Sequence, residues 1–363
     1  MTGGKLKGIN MMSFVVFSML SIRLITLPGD IIKYAKSDAW ISVLVTAIAA
    51  YLTAYIAYYI PSKHPGYNFA EVHTKLLGRF LGKLIVTGMT IYIILSAGIS
   101  LRLFESSVTM FLLDKTPGFV VIGVILLASI YCVIKGIKTI SIVFDMMFPI
   151  VFIIMIITLM TYKNAELKNL LPIAHGGIKP IMQGAVRLID PAIGCGIISY
   201  IMPYFENQKE TKKWIFIAVT IALTSYMLLI VMCILTFGTI EVQYLTFPGI
   251  LLAKIIEFKA EIFERTESFF MAAWIPGVFA NIITLLIVAI LNLKEVFNTK
   301  KTNSIILLIA PFIFIVSLIP KGIEDVYEFL AFNNKIAVSI NLIYIPIFFM
   351  IVALKGRRNK HEK

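Results

Sequence analysis

The chain has 363 residues, of which 59% are hydrophobic and only 15% charged, and its mean hydropathy is +0.91. Soluble domains carry about a quarter charged residues, so these values exclude an ordinary soluble protein. The net charge of +13 does not indicate nucleic-acid binding, because the basic residues gather in the loops on one side of the predicted membrane spans. We predict a single polytopic membrane domain over residues 1–363, with both termini on the cytoplasmic side and no nucleic-acid partner.

Ten apolar segments of membrane-crossing length follow one another along the chain. They cover about residues 9–34, 39–60, 80–112, 118–134, 141–162, 182–205, 214–238, 267–293, 303–320 and 336–354. Because five is odd, two halves of five spans would enter the membrane from opposite sides, which is the condition for an inverted repeat. We predict a first five-helix repeat over residues 1–162, a second over 163–355 and a basic cytoplasmic tail over 356–363.

The first span carries an arginine near its middle, in the sequence Ser21-Ile22-Arg23. An ionised side chain at membrane depth is costly and usually functional. Arg23 could meet a ligand carboxylate, stand where a transporter binds a coupling ion, or form a structural salt bridge. The candidate partners for such a bridge are Asp190, Glu105 and Glu267. The residues alone leave ligand contact and structural pairing equally open.

Polar side chains in the third span share one helix face. Tyr92, Ser96 and Ser100 are spaced four residues apart, so they lie above one another on the same side of the helix. The stripe could line a pocket. Close packing of small residues between helices is the other interpretation, and the residues alone favour it.

The sixth span contains Pro191 and then Gly194-Cys195-Gly196. Proline and glycine both weaken a helix, so we predict one half-helix that ends before Pro191 and another from about Gly196 to Phe205. A broken helix exposes amides at one end and carbonyls at the other. An amino-acid zwitterion needs both, although the glycines could instead serve close helix packing.

The approach to the eighth span is a charged run that continues into apolar sequence without a turn. Its charged members include Glu264, Arg265 and Glu267, and Trp274 follows about two turns later. On the residues alone the run is a surface amphipathic helix. The alternative is a gate over a cavity, in which these charges contact the ligand entrance or a partner.

The chain contains no arrangement of residues typical of a catalytic site. The four histidines lie in loops and the tail, the three cysteines are scattered over apolar spans, and none has metal-ligand spacing. We predict no enzyme activity, no cofactor and no metal site.

Short motifs in chain order carry a family resemblance. They are Asp38-Ala39-Trp40-Ile41-Ser42, Gly136-Ile137-Lys138-Thr139-Ile140 with Phe148-Pro149, Asn169-Leu170-Leu171-Pro172 with Gly177-Ile178-Lys179-Pro180, Met202-Pro203-Tyr204, and Phe263-Glu264-Arg265-Thr266-Glu267 followed by Trp274. The last of these is the most specific. On these motifs the chain resembles the B-subunit family of spore germination receptors, or spore permeases, within the amino acid–polyamine–organocation transporter superfamily.

The resemblance implies an all-α, LeuT-like fold of about ten transmembrane helices in which helices one and six are broken. It implies a germinant receptor subunit of the spore inner membrane that binds a nutrient, commonly an amino acid, beside a larger A subunit and a C lipoprotein. The implied ligand-binding residues are Ser21, Ile22, Arg23, Leu24, Tyr92, Ser96, Ile193, Gly194, Cys195, Gly196, Trp274, Gly277 and Val278. The chain departs from the family at Ser21-Ile22-Arg23, where a small residue such as glycine is usual.

Two other functions stay open at this point. One is a secondary active amino-acid transporter of the same superfamily, and the other is a structural or ion-conducting membrane subunit. The basic tail could also touch anionic membrane lipid, although such a tail is more often a plain topology signal.

Overall fold

The structure is a computed structural model, and it describes residues 5–20, 22–173, 176–256 and 266–361, with side chains as far as residue 355. Short 3-10 segments join several of the α-helices. The α-helices of the described residues are α1 (Asn10–Met19), α2 (Leu27–Ala35), α3 (Ala39–Lys63), α4 (Phe69–Leu77), α5 (Arg79–Phe111), α6 (Gly118–Lys135), α7 (Ile137–Met147), α8 (Pro149–Met160), α9 (Ile178–Arg187), α10 (Ile189–Ile193), α11 (Ile197–Ile201), α12 (Gln208–Glu241), α13 (Pro248–Lys254), α14 (Thr266–Val296), α15 (Thr302–Leu318), α16 (Ile323–Ser339) and α17 (Ile345–His361).

Each of the ten predicted apolar segments coincides with one of these helices or with a bent group of them. By length and composition, seven helices of the described ranges can cross a membrane, and the bent pair Ile178–Arg187 and Ile189–Tyr204 makes an eighth. The shorter α1 and α15 are also apolar. The protein is therefore an all-helical, multi-pass membrane protein.

The first span is broken in its middle. Helix α1 ends at Met19, a 3-10 turn covers Ile22–Ile25, and α2 begins at Leu27. Arg23 lies inside the 3-10 turn, where the side chains no longer follow the 3.6-residue period of the helices on either side. The break therefore lies at the polar position that the sequence indicates, while Ser21 falls outside the described residues.

The sixth span is also broken, and it is interrupted at two places. The first half ends at Arg187, and the chain bends by 49° before the next half begins. Pro191 lies in the first turn of α10, where a missing N–H costs nothing because that amide has no partner within the helix. The first half-helix therefore ends before Pro191, as predicted, and the short α10, which contains the proline, is an additional segment. A second irregularity, the 3-10 turn Gly194–Gly196, separates α10 from α11.

The two broken helices lie at the centre of the bundle, against α3, α5, α12 and α14. Helix α14 is the most buried of the long spans, since 72% of an 18-residue apolar stretch of it is buried inside the protein. In α1, eight of the ten residues are buried. Apolar burial of this extent keeps the central helices away from lipid, so their polar side chains can face one another.

Several chain segments meet at one end of the bundle. The N–H of Leu6 donates to the carbonyl of Tyr204 at 2.9 Å, and the N–H of Glu206 donates to the carbonyl of Leu6 at 3.0 Å. Helix α4 starts with a capping box, in which Asn68 and Glu71 each accept from the other's backbone N–H. Lys355 Nζ, in α17, donates to the carbonyl of Leu76 at 2.5 Å. The start of span one, the end of span six, α4 and the end of α17 therefore share one face.

Candidate ligand cavity at the helix breaks

A cavity of about 140 Å³ lies beside the second irregularity of the sixth span. Its wall comes from the ends of α1 and α10, the Gly194–Gly196 turn, and faces of α3, α5, α14 and the last span. Most of the surface of the wall is apolar. The polar members of the wall are Ser18, Thr53, Tyr92, Ser96, Ser100, Asp190, Ser199, Tyr200, Asn281 and Thr284.

Two glycines of the sixth span line this cavity, and they differ in the space around them. A Cβ built on Gly194 would lie 2.3 Å from the carbonyl oxygen of Ser18, whereas a Cβ on Gly196 would meet nothing within 4 Å. At Gly194 the backbones of the two broken helices are in direct contact. Gly196 instead leaves open space, so a side chain there would extend into the cavity.

A charged network joins the two breaks. One terminal nitrogen of Arg23 lies 2.7 Å from Asp30 Oδ2 in α2, and the other lies 3.6 Å from Asp190 Oδ2 in α10. The second oxygen of Asp190 accepts a hydrogen bond of 3.0 Å from the Tyr92 hydroxyl in α5. The arginine side chain is only 3% exposed. A charge that is buried to this extent needs oppositely charged partners, and the two carboxylates supply them.

The last span also contributes polar groups. Asn333 in α16 donates to the Ser96 hydroxyl at 3.1 Å, and Thr53 in α3 donates to Asn341 at 2.9 Å. Asn341 lies in a π-helical segment, Ile340–Tyr344. Such segments are rare and often occur at functional sites. The last span is therefore part of the cavity region, although no predicted site residue lies on it.

An aromatic cluster closes the end of the cavity that faces α4. We call Phe69, His73, Tyr200, Tyr344 and Phe348 the inner aromatic cluster. Phe69 and Tyr200 line the cavity with ring centroids 5.3 Å apart, and His73 stacks on Phe348 at 3.8 Å.

The two ring nitrogens of His73 bond to the Phe69 carbonyl and to the Tyr344 hydroxyl. Burial in the inner aromatic cluster lowers the pKa of His73 to about 4. The ring is therefore neutral at physiological pH.

The structure brings together part of the predicted site. Five of the predicted ligand-binding residues line the cavity: Tyr92, Ser96, Ile193, Gly194 and Gly196. The remaining described members are near the breaks or on α14 but outside the cavity wall: Ile22, Arg23, Leu24, Cys195, Trp274, Gly277 and Val278. Trp274 packs against Phe104, with ring centroids 6.1 Å apart.

The predicted gating residues lie only partly within the described chain. Glu264 and Arg265 fall outside the described residues, as does Ser21, which was predicted to bind ligand and not to gate. Glu267 is in the first turn of α14 and 7% exposed. Their predicted roles in gating or partner contact therefore stay predictions.

On α14, the cavity lies one to three turns beyond the predicted position. The lining residues are Asn281, Thr284, Leu285 and Val288, which share one helix face at spacings of three and four. Asn281 is only 4% exposed, and a polar amide within an apolar span is the signal that could have found this face. The predicted residues lie around the Pro276-Gly277 pair instead, yet α14 continues through this pair without interruption.

Comparisons with known proteins agree with this architecture. A family model described as "Spore germination protein" (spore permease) matches residues 5–326. The chain is 30% identical to spore germination protein YndE of Bacillus subtilis (strain 168), covering 95% of each chain. It is 27% identical to spore germination protein A2 of the same strain, covering 97% of each chain.

Among solved structures, the chain is similar to Mhp1, a nucleobase-cation-symport-1 family transporter in a closed conformation with bromovinylhydantoin bound. The TM-score is 0.65 at 14% sequence identity, over 96% of this chain and 79% of that one. At this identity the likeness is one of fold, and the fold is LeuT-like, as predicted. With the family match over most of its length and a 30% identical relative covered almost completely, the chain belongs to the spore germination protein family, the spore permeases.

Proposed function

We propose that the protein is a germinant receptor subunit that binds a small molecule, in the first instance an amino acid, in the cavity beside Gly194. The observation that carries the proposal is the cavity itself, about 140 Å³ in volume and placed where both broken helices meet. Ligand sites of this class of fold lie near the midplane at discontinuous helices. In a spore germination protein, a ligand at such a site is a germinant.

The volume limits the size of the ligand. An engineered cavity of about 150 Å³ lined by aliphatic side chains holds benzene. A cavity of about 140 Å³ therefore admits a ligand of roughly six non-hydrogen atoms. Alanine and compounds of similar size meet this limit, whereas a disaccharide or a nucleoside needs the cavity to expand.

The contact between the broken helices supports a signalling role. Gly194 and Ser18 touch through their backbones, so a ligand that repositions one helix also displaces the other. A ligand shifts such an equilibrium only through its different affinities for the two states. The displaced helices would signal to partner subunits, a larger A subunit and a C lipoprotein, in the spore inner membrane, with both termini of this chain on the core side.

Binding and transport can be separated with purified protein. We expect a germinant at about 100 times its Kd to stabilise the protein in detergent by about 2.7 kcal/mol, seen as a raised melting temperature. The panel comprises amino acids, sugars and nucleosides. Proteoliposomes with a proton or sodium gradient are expected to show no concentrative uptake of the same compound.

A matched pair of variants ties the result to the cavity. Gly196→Leu fills space that is open in the cavity wall, so it should remove the ligand-induced shift. Gly123→Leu makes the same change in α6, where a Cβ also meets nothing within 4 Å, and should leave the shift intact. Gradient-driven uptake would instead identify an amino-acid transporter. A panel without any binder would favour a structural or ion-conducting subunit.

A further inference from the structure

We infer that the cavity selects its ligand by a positively charged ammonium group, which Asp190 binds, and that the ligand needs no carboxylate. The inference rests on the proposed function and narrows its ligand class. It includes α-amino acids with apolar side chains, but also simple primary amines that lack the acid group.

The charges in the cavity wall are the first support. Asp190 is the one ionisable acid or base among the described lining residues, apart from tyrosines. Arg23 is close but is not part of the wall. A ligand that carries a carboxylate and no ammonium would therefore meet a negative charge in the cavity and no cation.

The ion pairs of Arg23 leave that charge uncompensated. One guanidinium faces two carboxylates, so Arg23, Asp30 and Asp190 together carry one net negative charge. The shorter contact, 2.7 Å, goes to Asp30, and the longer, 3.6 Å, to Asp190. The excess negative charge therefore resides mainly on Asp190, which is the member that lines the cavity.

Asp190 also has room for another donor. Its Oδ1 accepts one hydrogen bond from Tyr92, and a carboxylate offers about four acceptor sites in all. The carboxylate is 16% exposed. An ammonium group brings three donors and the missing positive charge to this position.

The end of α1 adds to the negative potential. Helix α1 finishes at Met19, and its penultimate residue, Ser18, lines the cavity. The C-terminal end of a helix carries partial negative charge on carbonyls that lack partners within the helix. Both the charged side chain and the helix end therefore favour a cation in the cavity.

The apolar part of the wall favours a ligand with a short hydrocarbon tail. Ile56, Ile60, Ile93, Leu285 and Val288 also line the cavity. Apolar walls make an unpaired charge costly. A primary ammonium with a tail of a few carbons satisfies the carboxylate and covers the aliphatic wall at once.

Three ligands of one shape test the inference on the wild-type protein. Isopentylamine carries the ammonium, 3-methylbutan-1-ol has a hydroxyl in its place, and isovalerate has a carboxylate in place of the terminal CH2–NH3+ group. We expect the amine to bind at least ten times more tightly than the alcohol at pH 7, by calorimetry in detergent, and isovalerate not to bind. Tighter binding of isovalerate or the alcohol would overturn the inference while leaving the receptor proposal intact.

A substitution then assigns the selectivity to one side chain. Asp190→Asn keeps an acceptor for the Tyr92 hydroxyl but loses the charge, so amine affinity should fall at least tenfold while alcohol affinity stays unchanged. Asp114→Asn, the same change in an exposed loop, should keep the wild-type preference. A preserved preference in Asp190→Asn would overturn the inference. If that variant does not fold, the wild-type ligand series decides. If neither this series nor the germinant panel contains a binder, the receptor proposal fails as well.

Discussion

Arg23 joins three parts of the chain through one side chain. It lies in the break of the first span, and its partners come from α2 and from the sixth span. Removing one member of a buried ion pair leaves the others charged and unpaired, which costs about 3–5 kcal/mol. The arginine therefore stabilises the fold whether or not it takes part in ligand recognition.

We expect Arg23→Met to lower the free energy of unfolding by about 3–5 kcal/mol, because Asp30 and Asp190 would then repel each other in a buried site. Unfolding in mixed micelles measures the loss. The control is Lys168→Met, which breaks an ion pair whose side chains are 75% and 56% exposed and should cost less than about 1 kcal/mol. Adding Asp30→Asn to Arg23→Met should recover part of the loss, and equal effects of the two single variants would contradict this role.

His73 makes stability depend on pH. Its pKa is about 4 in the folded protein and about 6.5 in an unfolded chain, so between these values the unfolded chain binds a proton that the folded one does not. The free energy of unfolding is therefore highest above about pH 6.5 and falls, by about 3 kcal/mol in all, as the pH drops toward 4. Melting temperatures from pH 8 to pH 4.5 measure this slope.

A His73→Gln variant separates the slope from simple destabilisation. It should lose most of the pH dependence even if it is less stable than wild type at pH 8. Part of the slope should remain, since burial and Lys75 also lower the pKa of His64. A full slope in His73→Gln would exclude His73 as its source.

The importance of a single residue was predictable where a charged side chain lies within an apolar span. Arg23 and its pairing with Asp190 could be anticipated because both charges lie within apolar spans. Asp30 could not, because its approach to Arg23 depends on the turn between α1 and α2. Asn333 and Asn341 were missed for a related reason. Their partners Ser96 and Thr53 are more than 200 residues away in sequence.

The sequence indicates that the sixth span is broken but does not locate the break to the residue. Glycine and proline indicate that the sixth span is irregular, but a proline fits equally well after a helix and in the first turn of the next one. Here it occupies the first turn of α10. The break therefore lies before Pro191, and local propensity alone does not distinguish the two arrangements.

A pair of alanine substitutions tests the contact between the helices. A Cβ at Gly194 would lie 2.3 Å from the Ser18 carbonyl oxygen, so Gly194→Ala must displace backbone and should cost about 1–3 kcal/mol. Gly196→Ala meets nothing within 4 Å and should be neutral or stabilising by up to about 1 kcal/mol. Melting temperatures measure both, and indistinguishable values would contradict a close approach at Gly194.

Across the whole chain, hydropathy and motifs were sufficient for the class of protein. The predicted family is confirmed by the match over residues 5–326, and the predicted fold by the likeness to Mhp1. The position of the cavity could not be predicted in the same way, because it depends on how far each helix slides along its neighbours. The division into repeats at residues 162 and 163 stays a prediction.

The bond between Leu6 and the end of the sixth span also bears on how many times the chain crosses the bilayer. Residues joined outside the membrane lie on one side of it, so an even number of crossings must separate Leu6 from Phe205. Four long helices and the bent pair lie between them, which is an odd number, so the short α1 must belong to a further crossing. The bond from Lys355 to Leu76 likewise requires an even number of crossings between these two residues. Without α15 that number would be odd, so α15 must cross as well. From these contacts we expect ten crossings within the described residues.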